Sequence, residues 1–98
     1  VEVQKGLGFG ILICGSAQGI AIAANKMKDI RAAVVATKNE AKLSRQHNNA
    51  NVLSLGARFL DETAAKNAVK IWLNTLFPNL NDSNLSRHAR RIEKIDKI

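Results

Sequence analysis

The sequence is poor in cysteine and in aromatic residues, and each scarcity excludes a class of protein. One cysteine cannot form an internal disulfide, and without a CxxC motif or a Cys/His cluster a structural zinc site is not expected. Three Phe, one Trp and no Tyr mean that the core must be built from Ile, Leu, Val and Ala. The lack of stacking aromatics and of any recognition motif argues against a nucleic-acid-binding module.

The charge and hydropathy narrow the class of partner without identifying it. A chain of 98 residues with 46% apolar residues is long and apolar enough for one small folded domain. Its net charge of +7 suits a nucleic acid, a membrane surface or a small phosphorylated ligand, but it also fits a solvated basic surface. The apolar run Leu7–Ala24 is interrupted by polar residues and is too short to span a bilayer, so we expect no membrane partner.

The most informative stretch is Gly8–Lys26, with the sequence GFGILICGSAQGIAIAANK. Its continuous apolar run predicts a strand over Phe9–Cys14, covered on both faces. A glycine-bounded turn follows, and then a helix from about Gly19 to Met27. Because a helix N-terminus presents free N–H groups, Cys14 is expected to face an anion site.

The rest of the chain alternates in the same way, which predicts a parallel sheet with helices on both faces. The fold class is therefore α/β, the three-stranded portion of a Rossmann-like three-layer α/β/α sandwich, with N-terminal strands missing or supplied by another chain. We expect one partial domain over 1–98. The predicted elements are strands Ile30–Ala36 and Asn51–Leu55, a helix from the capping box Thr37–Glu40 to about Gln46, a helix from Asp61 that Pro78 stops, a linker at 79–86, and a helix Arg87–Ile98 capped by Ser86.

Ligands of open parallel sheets bind outside the carboxyl ends of the strands, and three segments are predicted to lie there. They are the Cys14 loop, Thr37–Glu40 and Gly56–Arg58. A helix N-terminus favours a thiolate, but position alone leaves open whether Cys14 is a working thiol or a plain buried cysteine.

Basic residues near the end of the chain are ambiguous when taken singly. The residues alone predict a surface histidine at His47 and an exposed one at His88. Arg87 and Arg91 lie four residues apart and could clamp a phosphate, or could form a solvated basic stripe.

Three separate motifs together resemble the type B ribose-5-phosphate isomerase family and the related galactose-6-phosphate isomerase subunits. The motifs are ILICGSAQGIAIAANK, LSRQHNNANVLSLGARF and SRHARRIEKI. The resemblance begins at about Gly8 and corresponds to roughly the last two-thirds of a family member. The family's opening strand, with its Asp-His motif, and a tyrosine-bearing region have no counterpart here.

The resemblance implies a metal-independent, cofactor-free aldose–ketose isomerase that interconverts ribose 5-phosphate and ribulose 5-phosphate. It implies that Cys14 moves a proton between C2 and C1 through an enediolate and that His47 is the acid/base for sugar ring opening. The implied substrate-binding residues are Gly15, Ser16, Ala17, Gln18, Gly19, Asn48, Arg58, Arg87 and Arg91. Ala17 stands where the family usually has Gly, which strains the turn if that position needs a positive φ.

The resemblance also implies a cytoplasmic homodimer of the pentose phosphate pathway, with an active site shared across the dimer interface. The retained Cys14 favours ribose over galactose substrates, and allose 6-phosphate remains an alternative. A second alternative is a non-catalytic fragment or divergent module that binds sugar phosphates. Because substrate contacts and strands are missing, we expect this chain alone to be inactive or barely active.

Overall fold

The computed structural model describes residues 3–6, 8–77 and 83–98 of the chain. Strands and helices alternate through this part of the sequence, as predicted. In chain order they are β1 (Gly10–Cys14), α1 (Gln18–Asn25), β2 (Ala32–Val35), α2 (Lys38–Asn48), β3 (Val52–Gly56), α3 (Glu62–Leu73) and α4 (Ser83–Asp96).

The three strands are parallel and lie in the order β1-β3-β2. Cys14 pairs with Gly56, and Val35 pairs with Leu55, so the carboxyl ends of the three strands lie side by side. The chain crosses the sheet in one direction from β1 to β2 and returns to β3, so right-handed crossovers place α1 and α2 on opposite faces. The predicted α/β fold with a partial sheet is confirmed.

Local sequence signals fix where α2 and α3 begin. Thr37 Oγ1 accepts from the N–H of Glu40, and the Glu40 carboxylate accepts from the N–H of Thr37, which confirms the capping box. The Asp61 carboxylate accepts from the N–H of Ala64 at 2.7 Å, as expected for the residue that begins α3.

The end of α3 differs from the prediction, because the helix stops at Leu73 rather than near Pro78. Thr75 Oγ1 donates to the carbonyl of Ile71, and Asn74 Nδ2 donates to that of Lys70. These side chains satisfy the last helical carbonyls and compete with continuation of the helix. Pro78 itself lies outside the described residues.

The start of α4 also differs, because the helix begins at Ser83. Ser86 therefore lies inside the helix rather than capping it, and only 79–82 of the predicted linker lie outside the described residues. Leu85 is a good helix former, and nothing in Ser83–Ser86 prevents helical backbone, so the helix extends one turn further back.

The core lies between β3 and the face formed by α2 and α3. Its fully buried residues are mostly aliphatic, as composition predicts, and are Val35, Ala41, Leu53, Leu55, Ala68 and Trp72. Trp72 Nε1 donates to Ser44 Oγ at 3.1 Å, and Ser44 Oγ donates to the carbonyl of Ala41, so α2 and α3 are joined by a buried polar chain. None of the helices in 3–6, 8–77 and 83–98 is long and apolar enough to cross a bilayer.

Strand β1 lies at an edge of the sheet, and no strand pairs with its outer side within the part of the chain that the structure describes. The prediction of a strand covered on both faces is wrong here, because Ile11 is 41% exposed and Ile13 is 65% exposed. Ile13 lines a largely apolar groove of about 600 Å³ with Leu55 and one face of α3, whose apolar residues there are Ala65, Val69 and Leu73. An open edge with apolar side chains is a place where a further strand can be added.

Candidate active site

Cys14 is the last residue of β1, at the carboxyl end of the strands, and the loop after it folds back over the sulfur. The N–H of Ala17 donates to Cys14 Sγ at 3.1 Å. The Cys14 side chain is half-buried, so the thiol is held by the loop and remains within reach of a ligand. A hydrogen bond from a backbone N–H stabilises negative charge on the sulfur.

Ala17 takes the left-handed conformation, with φ 68° and ψ −13°, at the residue where α1 begins. The position therefore does need a positive φ. This backbone conformation costs a non-glycine residue about 1 kcal/mol. Ala17 is 1% exposed, and its carbonyl accepts a hydrogen bond of 2.8 Å from Ser54 Oγ on the central strand. The sheet thus holds a strained turn in place through one buried hydroxyl.

Replacing Ser54 by Ala is expected to lower the free energy of unfolding by about 1–2 kcal/mol. The change removes the donor to the Ala17 carbonyl at a position that is 0% exposed, where water cannot replace it. Urea unfolding followed by circular dichroism measures the shift, with Thr63→Ala on the exposed face of α3 as the matched control. Equal midpoints for the two variants would show that the hydroxyl does not stabilise the turn.

Arg58 lies against the Cys14 loop from the carboxyl end of β3. Its N–H donates to the carbonyl of Gly15 at 3.0 Å. Its guanidinium lies 3.0–3.4 Å from the point that a Cβ on Gly15 would occupy. Gly56 lets the two loops approach closely, because a Cβ there would lie 3.2 Å from the backbone of Ser16, a tight contact. We call Cys14–Gly19 with Arg58 the cysteine cluster.

The cysteine cluster also contains the N-terminus of α1, where N–H groups have no helical acceptor. Of the N–H groups of residues 15–19, only that of Ala17 has a partner within the part of the chain that the structure describes. Gly15 and Ser16 are half-buried, whereas Gln18 and Gly19 are exposed. The free N–H groups and the Arg58 guanidinium make this loop suitable for an anionic group.

A second group of predicted residues gathers where α4 packs on the end of α2. The rings of His47 and His88 stack with centroids 4.5 Å apart, and Arg91 contacts His88 Nδ1. Arg31 at the start of β2 anchors the other end of α4 through an ion pair of 3.1 Å with Asp96. We call His47, Asn48, Arg87, His88 and Arg91 the histidine cluster.

The prediction that His88 is exposed is wrong, because the residue is 6% exposed. It is covered because α4 lies on α2, a packing that the pattern of one isolated basic helix does not reveal. Burial first, and then the charges of Arg91 and His47, lower the pKa of His88 from its ordinary value. The histidine is therefore mainly neutral near pH 7, and Arg87 and Arg91 beside it are exposed.

The two clusters lie at opposite ends of the parallel strands, the cysteine cluster at the carboxyl ends and the histidine cluster at the amino ends. Cys14 is level with the end of β3 at Gly56, whereas α2 runs back along the sheet and ends at Asn48, just before β3 starts at Val52. The length of β3 separates them by roughly 13 Å at 3.3 Å per residue. One chain therefore does not bring Cys14 and His47 within hydrogen-bond distance of each other.

The structure also contains supporting residues that sequence reasoning missed. Ser54 and Arg45 are buried polar side chains that hold segments of the two clusters. A serine in the apolar run NVLSL was the available signal for Ser54, because a buried hydroxyl needs a partner. Arg45 carried no such signal, since an arginine on a polar helix normally faces solvent.

Known proteins resemble the chain over nearly its whole length. Residues 1–95 match the family model described as Ribose/Galactose Isomerase. Ribose-5-phosphate isomerase B of Escherichia coli is 45% identical over 89 residues, which cover 91% of this chain and 56% of that protein. D-erythrulose-4-phosphate isomerase of Pectobacterium atrosepticum is 43% identical over 86 residues, covering 88% of this chain and 53% of that protein.

Solved structures agree with this likeness. The crystal structure of ribose-5-phosphate isomerase B from Mycoplasma genitalium with bound ribulose-5-phosphate superimposes with a TM-score of 0.86 at 41% identity. The match covers 98% of this chain and 60% of that one. The chain thus spans little more than half the length of these relatives. The family model, the relatives and the fold agree that this chain belongs to the ribose/galactose isomerase family.

Proposed function

We propose that the chain is the greater part of a metal-independent aldose–ketose isomerase that interconverts ribose 5-phosphate and ribulose 5-phosphate. The observation that carries the proposal is Cys14, a half-buried thiol beneath the N–H of Ala17 at the start of a helix. Sugar-phosphate isomerases among the relatives support the substrate class. In this role the protein serves the pentose phosphate pathway in the cytoplasm.

Cys14 acts as the base in the proposed reaction. The thiolate takes the proton from C2 of the open-chain aldose, and the electron pair left behind forms the C1–C2 double bond of an enediolate. The C1 oxygen then carries negative charge, which free N–H groups of the Cys14 loop and Arg58 are placed to stabilise. The thiol then returns its proton to C1, while the C1 oxygen gains a proton and the C2 hydroxyl loses its own. The C2 oxygen becomes the carbonyl of the ketose, so one proton has moved from C2 to C1 and one from O2 to O1, with no net oxidation or reduction.

His47 opens the sugar ring in this proposal, and Asn48 binds the substrate beside it. Arg87 and Arg91, exposed on α4 at positions four residues apart, bind the phosphate. The histidine cluster lies at the amino ends of the strands and Cys14 at their carboxyl ends. We therefore infer that one active site combines the cysteine cluster of one copy with the histidine cluster of a second. The functional unit is then a homodimer.

A four-carbon ketose phosphate is the second candidate substrate. The relative named D-erythrulose-4-phosphate isomerase is 43% identical to this chain, close to the 45% of the Escherichia coli ribose-5-phosphate isomerase B. Its similarity means that the overall likeness does not separate the two sugars. Allose 6-phosphate and galactose 6-phosphate are further alternatives, and comparing turnover of these sugar phosphates side by side decides among them.

The proposal is tested by mixing the 98-residue chain with ribose 5-phosphate and following formation of ribulose 5-phosphate. Because β1 has an open edge and the chain spans 56% of its Escherichia coli relative, we expect little or no turnover by the chain alone. Fusing ahead of Gly8 the opening segment that the family resemblance implies is expected to restore turnover. Absence of turnover in the folded fusion, with each candidate sugar phosphate, would support a non-catalytic binding module instead.

A further inference from the structure

Arg45 is a buried arginine on the last turn of α2, and it holds the end of that helix. The residue is 5% exposed. Its Nη1 donates to the carbonyl of Ala50 at 2.6 Å and to Asn49 Oδ1 at 2.9 Å. Its Nε donates to the carbonyl of Thr75, just beyond α3, at 3.1 Å. One guanidinium therefore joins the ends of two helices.

No carboxylate pairs with Arg45 within 3–6, 8–77 and 83–98, so carbonyl groups and aromatic rings balance its charge. The guanidinium carbon lies 4.8 Å from the ring centre of Phe9 and 5.8 Å from that of Trp72. Burial, and secondarily the charge of Arg31, lower the pKa of Arg45, which stays protonated at neutral pH. Helix C-termini carry negative partial charge, so this position suits a cation.

The segment that Arg45 closes contains both candidate residues of α2. His47 and Asn48 lie between Arg45 and the two residues whose oxygens it binds, Asn49 and Ala50. Asn49 has φ 46°, the left-handed conformation in which the chain leaves α2. The guanidinium thus spans His47 and Asn48 and fixes the backbone on both sides of them.

We propose that Arg45 is a positioning residue, which sets the orientation of His47 and Asn48 for ring opening. The inference rests on the proposed function. Arg45 does not touch the reacting atoms, since it is buried under Phe9 and Trp72. It acts by holding the left-handed exit of α2, and loss of that hold lets His47 move away from His88. A displacement of about 1 Å at a catalytic group can lower the rate on the order of 100-fold.

The first test compares two reactions of the catalytically active form, the chain itself or its fusion, whichever turns over. Isomerisation of cyclic ribose 5-phosphate needs ring opening by His47. Exchange of the C1 proton of ribulose 5-phosphate in D₂O needs the base alone, because this ketose cannot close a five-membered ring through its phosphorylated C5 oxygen. The ratio of isomerisation to exchange therefore reports on the histidine without reporting on protein stability.

Arg45→Met is expected to lower that ratio about 10- to 100-fold, because Met keeps the apolar contacts and loses all three hydrogen bonds. Arg45→Lys keeps the charge, but a single ammonium group cannot reach all three acceptors at once. Its ratio of isomerisation to exchange is expected to lie between that of Arg45→Met and that of the wild type. Lys42→Met, which removes an exposed cation from the same helix, is the matched control and should leave the ratio unchanged. An unchanged ratio in folded Arg45→Met would overturn the proposal.

The second test uses the 98-residue chain and needs no activity, so it separates failure of this inference from failure of the proposed isomerase. NMR of the histidine rings measures the contact between His47 and His88, whose stacked rings shift each other's proton signals. Asn49→Gly is a second variant in case Arg45→Met does not fold. It removes the Asn49 Oδ1 acceptor of Arg45, and glycine tolerates the positive φ at this position, so the fold is expected to be kept. Loss of the ring contact in either folded variant supports the inference, and an intact contact in both contradicts it.

Discussion

In the catalytically active form, the chain itself or its fusion, the Cys14→Ala variant and the His47→Ala variant are each expected to lack isomerase activity and to regain it when mixed. Cys14 and His47 lie at opposite ends of the parallel strands in one chain, so the proposed site takes one residue from each of two copies. In a mixed dimer, one site then has both residues intact and the other has neither. Random pairing makes half of the dimers mixed, so activity should return to about a quarter of the wild-type value.

The mixing experiment has an internal control. Two different Cys14 variants, Cys14→Ala and Cys14→Ser, cannot complement each other, because every site in their mixed dimers lacks the thiol. The samples are unfolded together and refolded so that subunits exchange, and native mass spectrometry measures the mixed dimers. If mixed dimers form and activity does not return, the two residues do not share a site across two copies.

The sequence was enough to predict the fold, because its signals are local. The alternation of Phe9–Cys14 with the helix after Gly19 predicted the strand, turn and helix that the structure shows, and Thr37–Glu40 located the start of α2. Element ends were less predictable. Thr75 and its neighbours end α3 before Pro78 through side-chain hydrogen bonds, which no helical periodicity encodes.

The site was predictable where its chemistry is contiguous in sequence. Cys14 and its loop could be located from the glycines and the helix start, and Gly56–Arg58 from its place after a strand, whereas the approach of the Arg58 guanidinium to Gly15 depends on packing. The burial of His88 and the bridge made by Arg45 depend on how α4 and α3 pack on α2. Such tertiary contacts leave no periodic pattern in the sequence, so a polar helix looks solvated until its neighbour is known.

Deuterium uptake at C1 of ribulose 5-phosphate is the most direct measurement of the role proposed for Cys14. Abstraction of the C1 proton forms the enediolate, and return of a solvent deuteron labels C1 of the ketose, so the exchange reports on the base without involving ring opening. Removing a general base typically costs 10²- to 10⁴-fold in rate, and on the order of that loss is expected for Cys14→Ser. Serine keeps an acceptor for the N–H of Ala17 and so preserves the loop.

The experiment is run in D₂O on the active form, with the unfolding midpoint of Cys14→Ser measured alongside to establish that the variant is folded. We predict that the wild-type protein labels C1 and that Cys14→Ser, equally folded, loses both the labelling and the isomerisation. Labelling by Cys14→Ser at close to the wild-type rate would contradict the account, because another group would then be the base.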